Sequence, residues 1–485
     1  MSLPALQPWP WRTALVFLLA SLVWFGADLD FNVHAHRDEP NKVRQILEGR
    51  HNFHHPLLML DSVRLVTDLT RKRDYDSVML AGRRTASVYA ALAVALLVMV
   101  TGRLYGYTAC VAAGGFLLTS PQFFELAHYF KEDPSLVFGL SLSLLAFLVY
   151  GEKPTAVRAA LAGAAVAVAC SAKYAGFITL PFALYVVLAA KRPRDFFPLL
   201  GAFVACLVLI NWPAVLSAGT TSQRIGVEAE RLAGAETAKN RSVPHAAYLE
   251  FYWRTSPVLV LLLGLHLVNS ARRRFRLRPV EWTMLLLPAV YLVAISSVPN
   301  VTQRYFLPVG AIFACLSAAG LLTLRALPAG KAIATAAAVL AIAWQLPALF
   351  AYQRSFASDH QSEVLAFLGQ NLPGDAFVLV DEDRALPEPA FSAPRVEQRW
   401  VRPGETMESL RASGVSHVVV TQRRYAAVMK GKRRAFGLTE PEVREVRAFY
   451  EELESKGRLL REWQRGLNNY LQASFRVYEL APPDQ

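Results

Sequence analysis

Residues 88–100 read VYAALAVALLVMV, and residues 339–350 read VLAIAWQLPALF. Neither stretch holds a charged residue, and neither has a polar stripe at a helical or strand period. A helix that is apolar on every side is either deeply buried or crosses a bilayer. The first run extends outward to 85–102, close to the ~20 residues a bilayer core requires. Reading on in both directions from these two runs gives eleven candidate spans: 12–27, 85–102, 104–120, 134–150, 155–171, 174–190, 196–215, 256–270, 281–297, 305–324 and 331–350. The first lacks a small-residue cleavage site and is followed by Asp28-Leu29-Asp30, so it reads as an anchor and not a leader. Only Ala172 and Lys173 part 155–171 from 174–190, and a single re-entrant segment is the alternative there.

Over all 485 residues, 54% are hydrophobic and 18% charged, whereas a soluble chain has about 25% charged residues. This excludes a soluble enzyme and a disordered chain. A disulfide scaffold is excluded too, because Cys110, Cys170, Cys206 and Cys315 all lie inside apolar runs. The chain is read as a mainly α, polytopic membrane protein.

Charge sets the expected orientation. With the N-terminus cytoplasmic, the cytoplasmic segments hold 14 Lys and Arg, while three short outer turns hold one each: Lys131, Lys173 and Arg304. An odd number of spans then places 351–485 outside as a small α/β domain, with 1–350 as the membrane domain. Residues 376–380 and 417–420 read as buried strands, and 361–371, 405–413 and 440–465 as helices. The tail carries 19 Lys and Arg against 19 Asp and Glu. A nucleic-acid surface needs an excess of cations, so no nucleic acid is expected as partner. Asp381-Glu382-Asp383 follows a strand, a position where α/β sheets bind ligands, with a solvated loop as the plainer reading.

The first outer loop, 28–84, holds most of the candidate chemistry. Asp38-Glu39-Pro40 opens a helix that Gly49 stops, with Val43, Ile46 and Leu47 on one face. That pattern suits a helix lying on the outer membrane surface. The two carboxylates are either a helix cap or a base presented to a lipid-linked head group. His51, His54 and His55 follow, then a second amphipathic stretch, Leu57 to Leu69. Pro56 keeps the histidines off a shared helix, which disfavours a metal site. The next outer turn, 121–134, again ends on an acid pair before a proline: Glu132-Asp133-Pro134. Ionisable groups at membrane depth are costly and mark a site. Lys131, Lys173 and Arg304 are placed for an anionic lipid phosphate, or singly for ordinary snorkelling.

In order and spacing these motifs resemble the GT-C membrane glycosyltransferases, in particular the branch of protein O-mannosyltransferases and the lipid A aminoarabinose transferase. The resemblance runs through Asp38-Glu39, His54-His55-Pro56-Leu57, Gly82-Arg83-Arg84 opening the second span, Glu132-Asp133, Ala172-Lys173-Tyr174 and Arg304-Tyr305-Phe306-Leu307-Pro308. Two features depart from the pattern: one proline where relatives often have two, and a His pair where the aminoarabinose branch has an acid and a Lys. The resemblance implies an inverting transfer of sugar from a polyprenyl phosphate to an acceptor hydroxyl on a protein, lipid or glycan, outside the cytoplasmic (inner) membrane. It implies Asp38 as base, with Glu39 and Asp133 as further catalytic carboxylates. Lys173, Arg304, Arg83, His55 and His54 would hold the phosphate, and Glu132, Tyr174 and Tyr305 would position substrate. A prenyl phosphate leaves without protonation, so no cofactor is required, and a divalent metal stays open. A transporter or flippase and a non-catalytic assembly subunit are the other classes with this many spans. The absence of paired halves and of midplane charges speaks against transport.

Overall fold

The computed structural model describes residues 6–31, 38–51, 53–233, 244–272, 276–297, 303–357, 359–382, 385–387, 393–430, 438–466 and 471–480. They divide into two compact units: Met1–Leu29 with Asp38–Phe350, and Asp30–Arg37 with Ala351–Gln485.

The first unit is helical. It opens with α1 (Trp11–Phe25), α2 (Asp38–Leu47), α3 (Leu58–Thr70) and α4 (Tyr75–Tyr105). Next come α5 (Tyr107–Leu118), α6 (Pro121–Ala127), α7 (Asp133–Glu152) and α8 (Ala156–Ala172). A 3-10 turn (Tyr174–Thr179) leads to α9 (Leu180–Ala189), α10 (Phe196–Ile210), α11 (Trp212–Leu216), α12 (Ala218–Ala233) and α13 (Pro244–Thr255). The unit closes with α14 (Pro257–Arg272), α15 (Pro279–Ser296), a 3-10 turn (Gln303–Phe306), α16 (Leu307–Arg325) and, up to Phe350, α17 (Gly330–Phe356). Helix α4 packs on α1 and α7, α8 on α7 and α10, and α14 on α16.

Every one of the eleven apolar stretches forms a helix, but they are not equal in length. Among the described residues six helices are long and apolar enough to cross a membrane, or seven if the pair bent by 112° at Ala246–Thr255 and Pro257–Arg272 is one span. Four more, Trp11–Phe25, Tyr107–Leu118, Ala156–Ala172 and Tyr174–Ala189, are apolar but have only 10–17 residues. Local backbone breaks shorten the last three. Gly106 takes φ +89° between α4 and α5, a conformation side chains resist. Lys173 is extended between α8 and the 3-10 turn. The second expected span is longer than its apolar run. Asp74 caps α4 by accepting the Ser77 N–H at 2.8 Å, so Gly82-Arg83-Arg84 lies within the helix and not at its opening.

The second unit carries α18 (His360–Asn371), β1 (Phe377–Asp381), β2 (Arg395–Gln398), α19 (Met407–Ala412) and β3 (His417–Thr421). It ends with α20 (Gln422–Met429), α21 (Glu440–Lys456), β4 (Arg458–Trp463) and β5 (Phe475–Glu479). The sheet order is β2-β1-β3-β5-β4. Strands β2, β1 and β3 are parallel, and β5 runs antiparallel to both β3 and β4. Alternate residues of β1 and β3 face opposite layers. Leu379, Val418 and Val420 pack on Val446, Phe449 and Leu453 of α21. Val378, Val380 and Val419 meet Val364 and Leu368 of α18. The expected helix over 440–465 stops at Lys456, because Arg458–Trp463 pairs with β5 and leaves the helical register.

Candidate functional site

Helix α2 turns Glu39, Lys42, Val43 and Ile46 inward. Their spacing of three and four residues makes one helical face, packed on α3 and α4. Leu47, expected on that face, is exposed. The helix ends as the sequence predicts, with Arg50 N–H donating to Gln45 O at 2.9 Å across Gly49.

Glu39 is fully buried and grips Arg83 with both oxygens. Arg83 Nε donates to Oε1 at 3.1 Å and Nη2 to Oε2 at 2.9 Å, while Nη1 donates to Leu29 O at 3.1 Å. The Phe130 N–H adds a fourth bond, to Glu39 Oε1 at 2.7 Å. A desolvated ion pair is tolerated when its remaining donors and acceptors are filled in this way. Gly82 makes room for it: a Cβ there would lie 2.3 Å from the Phe130 ring. The sequence reading gives Glu39 a catalytic role and Arg83 a phosphate contact. The structure instead commits each to the other, with Arg83 1% exposed and Glu39 0%, so neither offers a charge to a ligand.

Asp38, one residue earlier, is open. Its side chain is 47% exposed and pairs with Lys131 Nζ, itself 3% exposed, through Oδ2. Arg304 Nη1 approaches the same oxygen at 3.5 Å. Burial, with Lys42 and Arg304 nearby, lowers the Lys131 pKa to about 8. Lys42 is the residue that sequence reasoning missed: its Nζ pairs with Glu132 Oε1 at 2.7 Å and donates to Phe130 O at 2.8 Å. Its position three residues after Glu39, on the inward face, was the available signal. Burial alone would raise the Glu132 carboxyl, but the Lys42 ammonium, with Lys131 beside it, outweighs that and holds it below the usual carboxylate range. Glu132 thus orders cations here.

His55 is half-buried among these charges. Burial pushes its pKa down, and the pull of Glu132 does not reverse the shift, which favours the neutral ring. His54 is half-buried beside it. His51 points elsewhere, 3.1 Å from Asp61 Oδ1 and 2.7 Å from Arg64 Nη1. Among the described residues no group of three or more His, Cys, Asp or Glu is placed to hold a metal ion.

The third pair is Asp133 with Lys173, 2.7 Å apart. Tyr305 lies against two cations, its ring centroid 5.0 Å from Lys173 Nζ and 5.5 Å from the Arg304 guanidinium. Tyr174 donates to Phe53 O at 3.1 Å, so it anchors the loop that carries His54 and His55. Asn211 helps from the end of α10, just past Ile210, accepting Leu57 N–H at 3.0 Å and donating to Ser171 Oγ at 2.7 Å. Phe306 supports the Arg304 turn by packing on Tyr252 of α13, ring centroids 5.3 Å apart. The structure therefore gathers Asp38, Lys131, Glu132, Asp133, Lys173, Arg304 and His55, and adds Lys42.

In the second unit, Asp381 and Glu382 are buried, not in a solvated loop. Asp381 Oδ1 accepts from Val401 N–H at 2.6 Å and Arg424 Nη1 at 2.9 Å, and Oδ2 accepts from the Tyr450 hydroxyl. Thr421 Oγ1 donates to Glu382 Oε2 at 2.6 Å. Asp383 lies outside the described residues.

Residues 54–213 match the family described as dolichyl-phosphate-mannose-protein mannosyltransferase. That segment holds His54, His55, Arg83, Glu132, Asp133, Lys173 and Tyr174, while Asp38, Arg304 and Tyr305 fall outside it. No curated protein matches the chain. Among solved structures, ArnT from Cupriavidus metallidurans in the apo state is similar, with 15% identity and TM-score 0.53 over 97% of this chain and 99% of that one. The apo oligosaccharyltransferase of Archaeoglobus fulgidus is 13% identical with TM-score 0.53, over 89% of this chain and 72% of that one. The archaeal oligosaccharyltransferase AglB from Archaeoglobus fulgidus, in complex with an inhibitory peptide and a dolichol-phosphate, is 12% identical with TM-score 0.52, over 97% and 74%. These are GT-C glycosyltransferases, and the chain has their polytopic fold.

Proposed function

We propose that the chain is an inverting glycosyltransferase that moves a sugar from a polyprenyl-phosphate donor to an acceptor hydroxyl. One observation carries the reading: Asp38 is a half-exposed carboxylate beside a cluster of cations on a GT-C fold. Asp38 takes the proton of the acceptor hydroxyl as its oxygen attacks the anomeric carbon from one face. The lipid phosphate leaves from the other face, its charge met by Lys131, Arg304 and Lys173. Glu132 and Asp133 hold Lys42 and Lys173 in place, and the His55 and His54 rings can donate to a phosphate or sugar oxygen. Glu39 and Arg83 act only by fixing α2 on α4. The dolichol-phosphate bound to AglB supports a lipid phosphate as the donor's carrier. Charge asymmetry of the loops supports a cytoplasmic N-terminus, with the α2 end and the second unit outside an inner membrane.

The test is turnover of a labelled polyprenyl-phosphate sugar by the purified full chain in lipid. Release of polyprenyl phosphate, with an inverted anomeric bond in the product and loss of both in Asp38→Asn, is the expected result. A chain that transports the donor without cleaving it, or retains the anomeric configuration, sinks the proposal. A reporter that functions only outside the cytoplasm, fused after Gln485, tests the orientation, and a silent fusion overturns it.

A further inference from the structure

The charges around Asp38 do not balance. Four cations, Lys42, Lys131, Lys173 and Arg304, face three carboxylates, Asp38, Glu132 and Asp133. Burial disfavours the charged form of His55, and Glu39 with Arg83 forms a neutral pair beneath. Among the described residues the cluster therefore carries one positive charge in excess. The carboxylates also differ in their hold. Glu132 and Asp133 are buried against their lysines, with side chains 7% and 3% exposed. Asp38 is 47% exposed and leans on two cations at once.

A base engaged by an ammonium and a guanidinium is a poor base, since both stabilise its charged form. The cations that hold it are also those best placed for the donor phosphate. We propose that the donor phosphate and the Asp38 carboxylate compete for Lys131 and Arg304, so that arrival of the donor releases the base. This rests on the glycosyl-transfer reading above and assigns Lys131 a second role, as the residue that holds Asp38 in reserve.

Charge is matched at each stage. The donor is a phosphodiester with one negative charge, and it neutralises the single excess positive charge. In the transfer, the acceptor O–H bond breaks and its proton goes to Asp38, a bond forms between the acceptor oxygen and the anomeric carbon, and the sugar–phosphate C–O bond breaks. The leaving phosphate takes that electron pair and now carries two negative charges. Asp38 has become neutral, so the cluster has two positive charges in excess. Protonation of the base thus raises the affinity for the departing lipid phosphate, and reionisation of Asp38 expels it.

The experiment is binding of undecaprenyl phosphate to the full chain in nanodiscs. Asp38→Asn removes the competing charge, and Asp38→Ser does so with a second side chain that suits a helix N-terminus. Both are expected to bind the lipid roughly tenfold more tightly than the parent protein, the scale of one charge-assisted contact. Lys131→Gln is expected to bind more weakly. Asp61→Asn, on α3 and paired with His51 and Arg64, controls for a general loss of negative charge and is expected to leave affinity unchanged. Unchanged or weaker binding by both Asp38 variants overturns the competition and leaves the donor reading standing. Tighter binding by Asp61→Asn to the same degree also overturns it. If no form, including the parent, binds the lipid, both the competition and the donor reading fall.

Discussion

Two carboxylate networks, one in each unit, are built from the same parts and behave differently. Around Asp381 an arginine, a tyrosine hydroxyl and a backbone N–H fill the carboxylate, and Arg424 in turn donates to Val401 O at 2.8 Å. Asp381, Arg424 and Tyr450 are all buried, and Asp381 and Arg424 cancel. Around Asp38 one carboxylate is shared between two cations, half its surface stays open, and positive charge is left over. The first network staples β1 to α20 and α21. The second keeps an unspent charge where a ligand can reach it. Composition does not separate structural from functional carboxylates; exposure and residual charge do.

The comparison breaks most visibly if a closed pair proves dispensable. Arg83→Met strands the Glu39 charge in the core and is expected to cost about 3–5 kcal/mol, read as a lower unfolding temperature in detergent. Arg424→Met should damage the second unit in the same way. A native-like melt for either means that the pair is not a lock. Next in size, Asp38→Asn is expected to lower kcat roughly 100-fold without moving the melting temperature, because Asn suits a helix N-terminus. Near-normal turnover would shift the base to Asp133.

Smaller effects sharpen the picture. Arg304→Gln or Lys173→Gln should reduce kcat/KM for the donor about tenfold by removing one charge-assisted contact, measured at subsaturating donor. If both keep normal kinetics, the phosphate is bound elsewhere. Smallest is the pH effect of Lys131. Its folded pKa of about 8 lies below the ordinary 10.5. The fold therefore bears a cost for keeping it charged below about pH 8, relieved as pH rises toward 10.5. Donor use runs the other way: the Lys131 ammonium is half deprotonated near pH 8, so kcat/KM should fall about twofold between pH 7 and 8. Lys131→Arg should abolish that decline, and a decline that persists in this variant removes Lys131 from the site.

Much of this was legible from the chain. Apolar runs located the helices because a bilayer demands unbroken hydrophobicity, and acids before Pro40 and Pro134 pointed to the α2 and α7 ends. Partner choice was not legible. Glu39 and Arg83 are 44 positions apart, and although Glu39 shares the spacing of Val43 and Ile46, nothing local names Arg83 as its partner. Lys42 went unread because a lysine on an amphipathic helix ordinarily faces water. Strands β2, β4 and β5 were missed for a related reason. Their residues are half charged, and only pairing with β1, β3 and each other makes them strands.

Phe130 and Lys131 are neighbours, as are Asp38 and Glu39, and the two pairs meet residue to residue: Phe130 N–H on Glu39, Lys131 ammonium on Asp38. A two-pin plug fixes rotation as well as position, which a single pin cannot. Before the donor arrives, helix α2 cannot roll about its axis without pulling both pins, so the resting direction of Asp38 is set by Phe130 and Lys131 together. Loosening the inner pin should therefore misaim the outer one. Phe130 cannot be probed by deleting its N–H with an ordinary side-chain change, but Gly82→Ala pushes its ring off α4 and twists the plug from below. Such a protein would remain folded and keep every charge, yet point its base in the wrong direction.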